Sequence, residues 1–258
     1  MNIAKKALRS TLHLVGLELK GDASAPIAFP VELSTQERDF FVYVRDNNLS
    51  MASDERLFTT MLACKHVVER DIEGDFLECG VWRGGNAVLA AAIFKLYGSK
   101  KKVYLFDTFA GMTKPTDLDR YAATGRGALQ EFRDHEKESH NDWCYASIDD
   151  VRNSFLKVDL LSDNVVFVKG DVLTTLAESA NIPAHISVLR LDTDWYESTK
   201  KELEVLYPLL SRGGALIIDD YGHWAGSKKA TDEYFKNFGG RPLLQYTDYT
   251  GRAGIKLG

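Results

Sequence analysis

Short apolar segments alternate with amphipathic helical segments along most of this chain, and this alternation constrains the fold more than any other feature. Short strands that are buried on both faces and separated by helices form parallel βαβ units. We therefore predict an α/β fold, a doubly wound and mostly parallel sheet with helices on both faces. The predicted strands cover residues 75–79, 102–107, 165–168, 186–191 and 215–218.

Both ends of the chain add to this core, which we place at residues 71–258. Residues 242–246 and 253–257 flank a glycine-containing turn and predict a closing antiparallel hairpin. Residues 1–70 predict a helical N-terminal extension. Its first apolar residues recur at helical spacing, which favours a helix docking on its own domain or on a second subunit over a membrane-surface helix. Those residues are Leu8, Leu12, Val15 and Leu19.

Composition excludes several classes of protein. The 258 residues carry a net charge of −5, whereas general nucleic-acid binding needs a basic surface. Three widely spaced cysteines do not form a disulfide framework and fit a reducing cytoplasm. The longest apolar stretch, residues 87–94, is far shorter than the roughly 20 residues of a membrane span, and no signal peptide is visible. We predict a cytoplasmic protein without stable membrane insertion.

One long insertion interrupts the alternation. Between Asp107 and Val165 lie 57 residues, many more than a crossover needs. Residues 111–146 are charged, contain glycines and lack a clean apolar period. Long insertions in compact domains are usually functional lids or disordered surface. Because this one follows the carboxyl end of a strand, where ligands bind in such sheets, we predict a lid.

Residues at the ends of the first three strands fit a nucleoside ligand. The turn at residues 78–85, Glu-Cys-Gly-Val-Trp-Arg-Gly-Gly, lacks the G-x-G-x-x-G pattern of a pyrophosphate cradle. It fits a ligand without phosphates, or else only a tight βα turn. Asp107 ends the second strand, where an acidic residue can accept hydrogen bonds from ribose hydroxyls. Asp171 follows the third strand and could accept from an adenine amino group or cap a helix.

Four carboxylates follow the fourth and fifth strands and predict a cation site. Because consecutive parallel strands usually lie side by side, these groups are expected to converge at one edge of the sheet. Clustered carboxylates are costly unless they are paired or bound to a cation, and oxygen ligands select Mg²⁺, Mn²⁺ or Ca²⁺. The alternative is that they only cap turns and helices. They are Asp192, Asp194, Asp219 and Asp220.

Four ordered motifs together resemble the macrocin O-methyltransferase family: DFLECGVWRGGNAV, LFDTFAGM, LRLDTDWYESTK and LIIDDYGHW. The resemblance covers about residues 35–250. It implies an S-adenosylmethionine-dependent, Mg²⁺-dependent enzyme that methylates a sugar hydroxyl of a glycosylated small molecule, as in antibiotic biosynthesis. It also implies a homodimer or a higher homo-oligomer, which the first 30 residues could serve.

The same resemblance implies roles for individual residues. The cofactor would be bound by Glu78, Gly80 and Asp107 and covered by residues 50–53, which include Met51. The metal ligands would be Asp192, Asp219 and Asp220, and Asp194 would be the general base. His223 is a weaker candidate for a second base.

The chemistry of the residues is consistent with these roles. An ordinary aspartate, of pKa about 3.9, is some 12 units too weak to ionise an alcohol near 15.7, and a metal ion that polarises the hydroxyl narrows this gap. All four tryptophans fall in a motif or in the insertion, where they could stack on a sugar ring or simply fill the core.

Three alternatives remain. A catechol- or caffeoyl-type O-methyltransferase would place a lysine shortly after Asp192, which this chain lacks. A nicotinamide-dependent oxidoreductase would need the missing dinucleotide motif. A non-catalytic scaffold would have lost either the cofactor motif or the carboxylates, and both are intact here.

Overall fold

The structure, a computed structural model, describes residues 29–238 and 240–257. Its described part contains a seven-stranded sheet. The strands are β1 (Asp75–Cys79), β2 (Val103–Asp107), β3 (Val165–Lys169), β4 (Ile186–Leu191), β5 (Leu210–Ile218), β6 (Gln245–Tyr246) and β7 (Arg252–Ile255). Their order is β3-β2-β1-β4-β5-β7-β6. The first five strands are parallel, and β7 pairs antiparallel with both β5 and β6. The predicted α/β sheet with a closing antiparallel hairpin is confirmed.

The helices form two packed groups. They are α1 (Thr35–Asp46), α2 (Asp54–Glu69), α3 (Gly85–Leu96), α4 (Leu129–Asp134), α5 (Ile148–Leu156), α6 (Val172–Thr175), α7 (Tyr196–Leu206) and α8 (Ala225–Phe238). In the first group, α3 packs against α1, α2 and α5. In the second group, α7 packs against α6 and α8. Two helical groups around one sheet are the arrangement expected of a doubly wound fold.

The predicted helices of the N-terminal extension are present where the structure describes them. Helix α1 begins after Ser34, whose hydroxyl forms a reciprocal capping box with Glu37. Helix α2 begins after Ser53, whose hydroxyl accepts from the Arg56 backbone N–H. The helix predicted around Leu8–Leu19 lies outside the described residues. None of the described helices is long and apolar enough to cross a membrane.

The structure differs from prediction around α7. The sequence predicts a helix over residues 201–210, whereas α7 begins earlier, at Tyr196, and gives way to a short 3₁₀ turn at Tyr207–Leu209. Pro208 lacks a backbone N–H and cannot continue an α-helix, which accounts for the earlier end. Strand β5 then begins at Leu210, five residues before the predicted start.

Strand β4 lies at the centre of the sheet, and all six of its residues are buried. Five of its side chains are apolar or small, but Arg190 is also fully buried. A buried cation is tolerated only when it is paired and hydrogen-bonded. The partners of Arg190 lie at the carboxyl edge of the sheet, where the candidate site is built.

Candidate active site

The loops after β1 and β4 meet at the carboxyl edge of the sheet. The backbone N–H of Asp192 donates to the Cys79 carbonyl at 2.9 Å. Gly80 has a φ of +79°, and a Cβ atom at this position would overlap the Asp192 carbonyl oxygen. Only glycine combines this left-handed conformation with so close a backbone approach. The glycine-rich turn therefore lies directly against the carboxylate-bearing loop.

One recess gathers most of the predicted cofactor residues. Its walls include Met51, Gly80, Asp107 and Asp171. Asp107 Oδ2 accepts hydrogen bonds from the backbone N–H groups of Val81 (2.7 Å) and Trp82 (3.2 Å), and its Oδ1 accepts from Phe109 N–H (2.7 Å). Asp107 thus ties the glycine-rich turn to the end of β2. Contact with a ribose stays a prediction.

Asp171 and Glu78 occupy different surroundings. Asp171 Oδ1 accepts from the Leu173 backbone N–H at 2.9 Å, so it caps α6 as well as lining the recess. Its contact with an adenine stays a prediction. Glu78 is fully buried and lines the neighbouring recess instead. Glu78 Oε2 has no hydrogen-bond partner. Burial raises the pKa of Glu78 to about 8, although the Arg190 guanidinium opposes the shift.

The four predicted carboxylates converge at this edge, in two environments. Asp192, Asp194 and Asp220 offer oxygen atoms that all lie within 4.8 Å of one another. Asp219 instead contacts Arg190 through one oxygen and Arg56 through the other. The predicted set for a metal was Asp192, Asp219 and Asp220, whereas the geometry groups Asp194 with Asp192 and Asp220. The identity of the third ligand stays a prediction.

The two arginines were missed by sequence reasoning. Arg190 donates to Glu78 at 2.7 Å and also contacts Asp192 and Asp219. Arg56 joins Asp219 to Asp248 of the hairpin turn. A charged residue within the apolar run Ile-Ser-Val-Leu-Arg-Leu was the available signal for Arg190. Nothing local marked Arg56, which is 163 residues from Asp219 in the sequence.

Two of the three grouped carboxylates, Asp194 and Asp220, favour the neutral form. Burial raises the pKa of Asp194 to about 7, with Asp192 and Asp219 adding to the shift and a hydrogen bond with Asp220 opposing it. Burial and the neighbouring Asp194 raise the pKa of Asp220 well above its usual range. Asp220 Oδ2 is buried without a hydrogen-bond partner. Asp194 also has a left-handed φ of +70°. The cluster therefore holds more negative charge than its neighbours neutralise, and it favours a proton or a cation.

Another buried carboxyl group, that of Glu202, supports the loop that carries Asp192 and Asp194, and sequence reasoning missed it as well. Glu202, on α7, is fully buried, and its Oε1 accepts from the Thr193 hydroxyl at 2.7 Å. Burial raises the pKa of Glu202 to about 8. Thr193 stands between Asp192 and Asp194, so Glu202 supports the loop that carries both.

Aromatic side chains enclose the carboxylates on the other side. Trp195 and Trp224 are buried with ring centroids 4.8 Å apart, and Trp143 packs 5.7 Å from Trp195. Tyr121 of the insertion packs against Trp224 at 4.3 Å. The tryptophans thus fill a small core and also border a recess. That recess is lined by Tyr121, Trp143, His223, Trp224, Tyr249 and the four aspartates.

His223 has a partner that its neighbours in the sequence did not reveal. Its Nδ1 lies 3.0 Å from the Tyr249 hydroxyl. Burial and the Arg56 charge lower the pKa of His223. The imidazole is therefore neutral near pH 7 and is oriented by a residue of the hairpin turn.

The two recesses share a boundary, and this boundary determines what chemistry the site can perform. The residues that line both are Met51, Trp82, Cys144, Asp192 and Asp194. Ligands bound in the two recesses would meet beside the two aspartates. Such a site can bring a donor and an acceptor together next to a base.

Comparison with known proteins agrees with this geometry. A family model described as macrocin-O-methyltransferase matches residues 22–252. The 8-demethyl-8-(2,3-dimethoxy-alpha-L-rhamnosyl)-tetracenomycin-C 4'-O-methyltransferase of Streptomyces olivaceus is 33% identical over 203 residues, 78% of this chain and 73% of that protein.

Solved structures show the same fold. The O-methyltransferase NovP superposes with a TM-score of 0.71 at 29% identity and covers 81% of this chain and 83% of its own. An O-methyltransferase from Bacillus cereus, solved in complex with SAH (S-adenosylhomocysteine), shares the fold at 14% identity, with a TM-score of 0.52 and coverage of 97% of both chains. The fold is therefore that of S-adenosylmethionine-dependent methyltransferases. The chain belongs to the macrocin-O-methyltransferase family and is an O-methyltransferase.

Proposed function

We propose that this enzyme transfers a methyl group from S-adenosylmethionine to a sugar hydroxyl of a glycosylated natural product, as a step of antibiotic biosynthesis, with the help of Mg²⁺. The observation that carries the proposal is the shared boundary, where Asp192 and Asp194 line both recesses. The name of the relative from Streptomyces olivaceus, a methyltransferase for a rhamnosyl compound, supports a sugar acceptor.

The first recess, which is the one lined by Met51, Gly80, Asp107 and Asp171, fits the cofactor. Asp107 would accept from the ribose hydroxyls, Asp171 from the adenine amino group, and Met51 would cover the ligand. Glu78 lines the neighbouring recess, and its buried Oε2 has no partner, so the ammonium group of a cofactor that reaches across the shared boundary could satisfy it. When bound, the cofactor would supply an electrophilic methyl group on a sulfonium. The recess would orient this methyl group toward the aspartates, because alignment to about 3–3.5 Å is what methyl transfer requires.

The carboxylate cluster fits a hard divalent cation. The donor set consists of oxygens only, and one buried oxygen, Asp220 Oδ2, has no partner. Asp192 and Asp220 would be ligands in either arrangement. Asp219 is the third ligand expected from the family resemblance, and Asp194 is the third member of the observed cluster. When bound, the cation would supply the Lewis acidity that lowers the pKa of the acceptor hydroxyl.

Asp194 would hold the proton that leaves the acceptor. Burial raises the pKa of Asp194 to about 7, and a cation bound to the cluster would lower it, so the Lewis acidity of the cation would close most of the gap to the acceptor hydroxyl. The aromatic recess would hold the sugar ring, with Trp143 and Tyr121 as its walls and water excluded from the base.

The first test is thermal unfolding with S-adenosylmethionine, S-adenosylhomocysteine or NAD⁺, each with Mg²⁺ or EDTA. A ligand at 100 times its Kd adds about 2.7 kcal/mol and should raise the Tm by roughly 5–11 °C. We expect the Tm to rise with S-adenosylmethionine and with S-adenosylhomocysteine but not with NAD⁺. We also expect Mg²⁺ to raise the Tm separately. Asp192→Asn should lose the Mg²⁺ effect and keep the cofactor effect, whereas Asp163→Asn, at an exposed site, should behave as wild type. A full Mg²⁺ effect in Asp192→Asn would exclude this metal site.

The acceptor class needs its own assay. A phenol or catechol is the alternative acceptor, because related metal-dependent enzymes methylate such groups. Transfer of a labelled methyl group to a rhamnosylated polyketide but not to catechol would support the sugar assignment. Transfer to catechol alone would replace it.

A further inference from the structure

Asp119 connects the insertion to the catalytic edge of the sheet. It lies within residues 111–146, and its side chain is fully buried. Its Oδ1 accepts from the Tyr196 backbone N–H at 2.8 Å, and its Oδ2 accepts from the Thr116 backbone N–H (2.7 Å) and hydroxyl (2.9 Å). A buried carboxylate is costly unless it is hydrogen-bonded, and three donors meet that need.

The bond to Tyr196 caps helix α7 from outside. The residue at the N-cap, Trp195, provides no side-chain hydrogen bond to the first turn. The first N–H groups of a helix need such partners, and Asp119 supplies one. The next residue of the insertion does the same for α8, because the Arg120 carbonyl accepts from Ala225 N–H at 2.9 Å. Two consecutive residues thus bind the starts of the two helices that follow the carboxylate loops.

The fit around this carboxylate is close. Gly226, in the first turn of α8, faces Asp119, and a Cβ atom at Gly226 would overlap Asp119 Oδ1. The missing side chain lets α8 approach the carboxylate.

The neighbours of Asp119 build the aromatic recess. Tyr121 packs on Trp224, and the Ala122 backbone N–H donates to the His223 carbonyl at 2.8 Å. Trp195 Nε1 donates to the Thr113 carbonyl at 2.9 Å. We propose that Asp119 is a positioning residue that latches the insertion onto α7 and α8. It thereby holds Tyr121 and Trp224, which line the aromatic recess, beside Asp194. The inference rests on the proposed function for the identity of that recess.

The test compares three variants. Asp119→Ala removes all three acceptor contacts, Asp119→Asn keeps one amide oxygen for the Tyr196 N–H, and Asp117→Ala removes a neighbouring exposed carboxylate as the control. We expect trypsin to cut Asp119→Ala at Arg126 at least about tenfold faster than wild type. A tenfold change in rate corresponds to the free energy of one lost buried hydrogen bond. The cleavage rate of Asp119→Asn should lie between those of Asp119→Ala and wild type, and the rate of the control should equal that of wild type.

Measurements of ligand binding distinguish a positioning role of Asp119 from a merely structural role. S-adenosylhomocysteine affinity, measured by calorimetry, should fall less than acceptor affinity in Asp119→Ala, because Asp119 does not line the first recess and the insertion contributes only part of its wall there, including Met112 and Thr113. The KM for a rhamnosylated acceptor should rise about tenfold or more, with partial rescue in Asp119→Asn. If Asp119→Ala does not fold, Gly226→Ala, which crowds the same carboxylate, should show the same pattern.

The outcomes distinguish the two proposals. Wild-type cleavage and acceptor KM in Asp119→Ala, or in Gly226→Ala if the first variant does not fold, would overturn the latch. Fast cleavage in a protein that methylates no glycoside would retain the latch and refute the proposed acceptor.

Discussion

Replacement of Glu202 by glutamine tests the electrostatics of the loop that carries Asp192 and Asp194. The glutamine amide has the same shape, and its carbonyl can still accept from the Thr193 hydroxyl. Glu202 is fully buried, and burial raises its pKa from the ordinary 4.5 to about 8. Below pH 4.5 the carboxyl is neutral in both states, so its contribution to stability is complete there. As the pH rises toward 8, the unfolded chain releases the proton and the folded chain keeps it, so stability is lost.

The size of the effect follows from the two pKa values. At about 1.36 kcal/mol per pKa unit, the wild-type carboxyl destabilises the folded state by about 4 kcal/mol at pH 8 and by about 1 kcal/mol at pH 5. Glutamine does not titrate. The difference in unfolding free energy between Glu202→Gln and wild type should therefore rise by about 3.5 kcal/mol from pH 5 to pH 8, in favour of the variant.

The assay is urea unfolding followed by tryptophan fluorescence at pH 5, 6, 7 and 8 in EDTA. Carboxylates that do not interact with Glu202 titrate equally in both proteins and cancel in the difference. Glu204→Gln, at an exposed position of the same helix, is the matched control and should show no such trend. A difference between Glu202→Gln and wild type that stays constant across this range would refute the reasoning.

Two further predictions concern the residues that join the strands. Asp107→Ala removes the acceptor for three backbone N–H groups of two turns and should weaken S-adenosylhomocysteine binding at least tenfold by calorimetry, since each lost hydrogen bond counts about 1 kcal/mol; unchanged affinity would remove its cofactor role. Arg190→Met leaves three carboxylates without their buried cation and should cost about 3–5 kcal/mol in urea unfolding at pH 8. The cost should shrink toward pH 5 as Glu78 and Asp219, whose pKa values are raised, take up protons, and an equal cost at both pH values would argue against the charge network.

The parts of the fold that the sequence predicted are those that depend on local pattern. Residues 75–79 and 186–191 are strands with the same bounds as predicted, because a strand buried on both faces is mostly apolar, and Glu78 and Arg190 are the buried charged exceptions. The convergence of Asp192 with Asp220 followed from the rule that consecutive parallel strands lie side by side.

The partners of these residues could not be predicted in the same way. Arg56 meets Asp219, and Asp119 meets Tyr196 77 residues away, only because the complete fold brings them together. Asp119 also lies in a charged segment without periodicity, where one buried carboxylate looks like its exposed neighbours. Position in the sequence therefore indicated which groups could react, and tertiary packing decided how their charges are balanced.

The contact between Gly80 and Asp192 has a consequence for how variants of this enzyme should be interpreted. The two loops touch backbone to backbone, with no side chain between them to absorb a shift. A larger residue at position 80 would push first on the peptide of Asp192 and only afterwards on anything bound beside it. A defect at this glycine would thus first change the position of Asp192. The glycine-rich turn and the loop that carries Asp192 and Asp194 behave mechanically as one part.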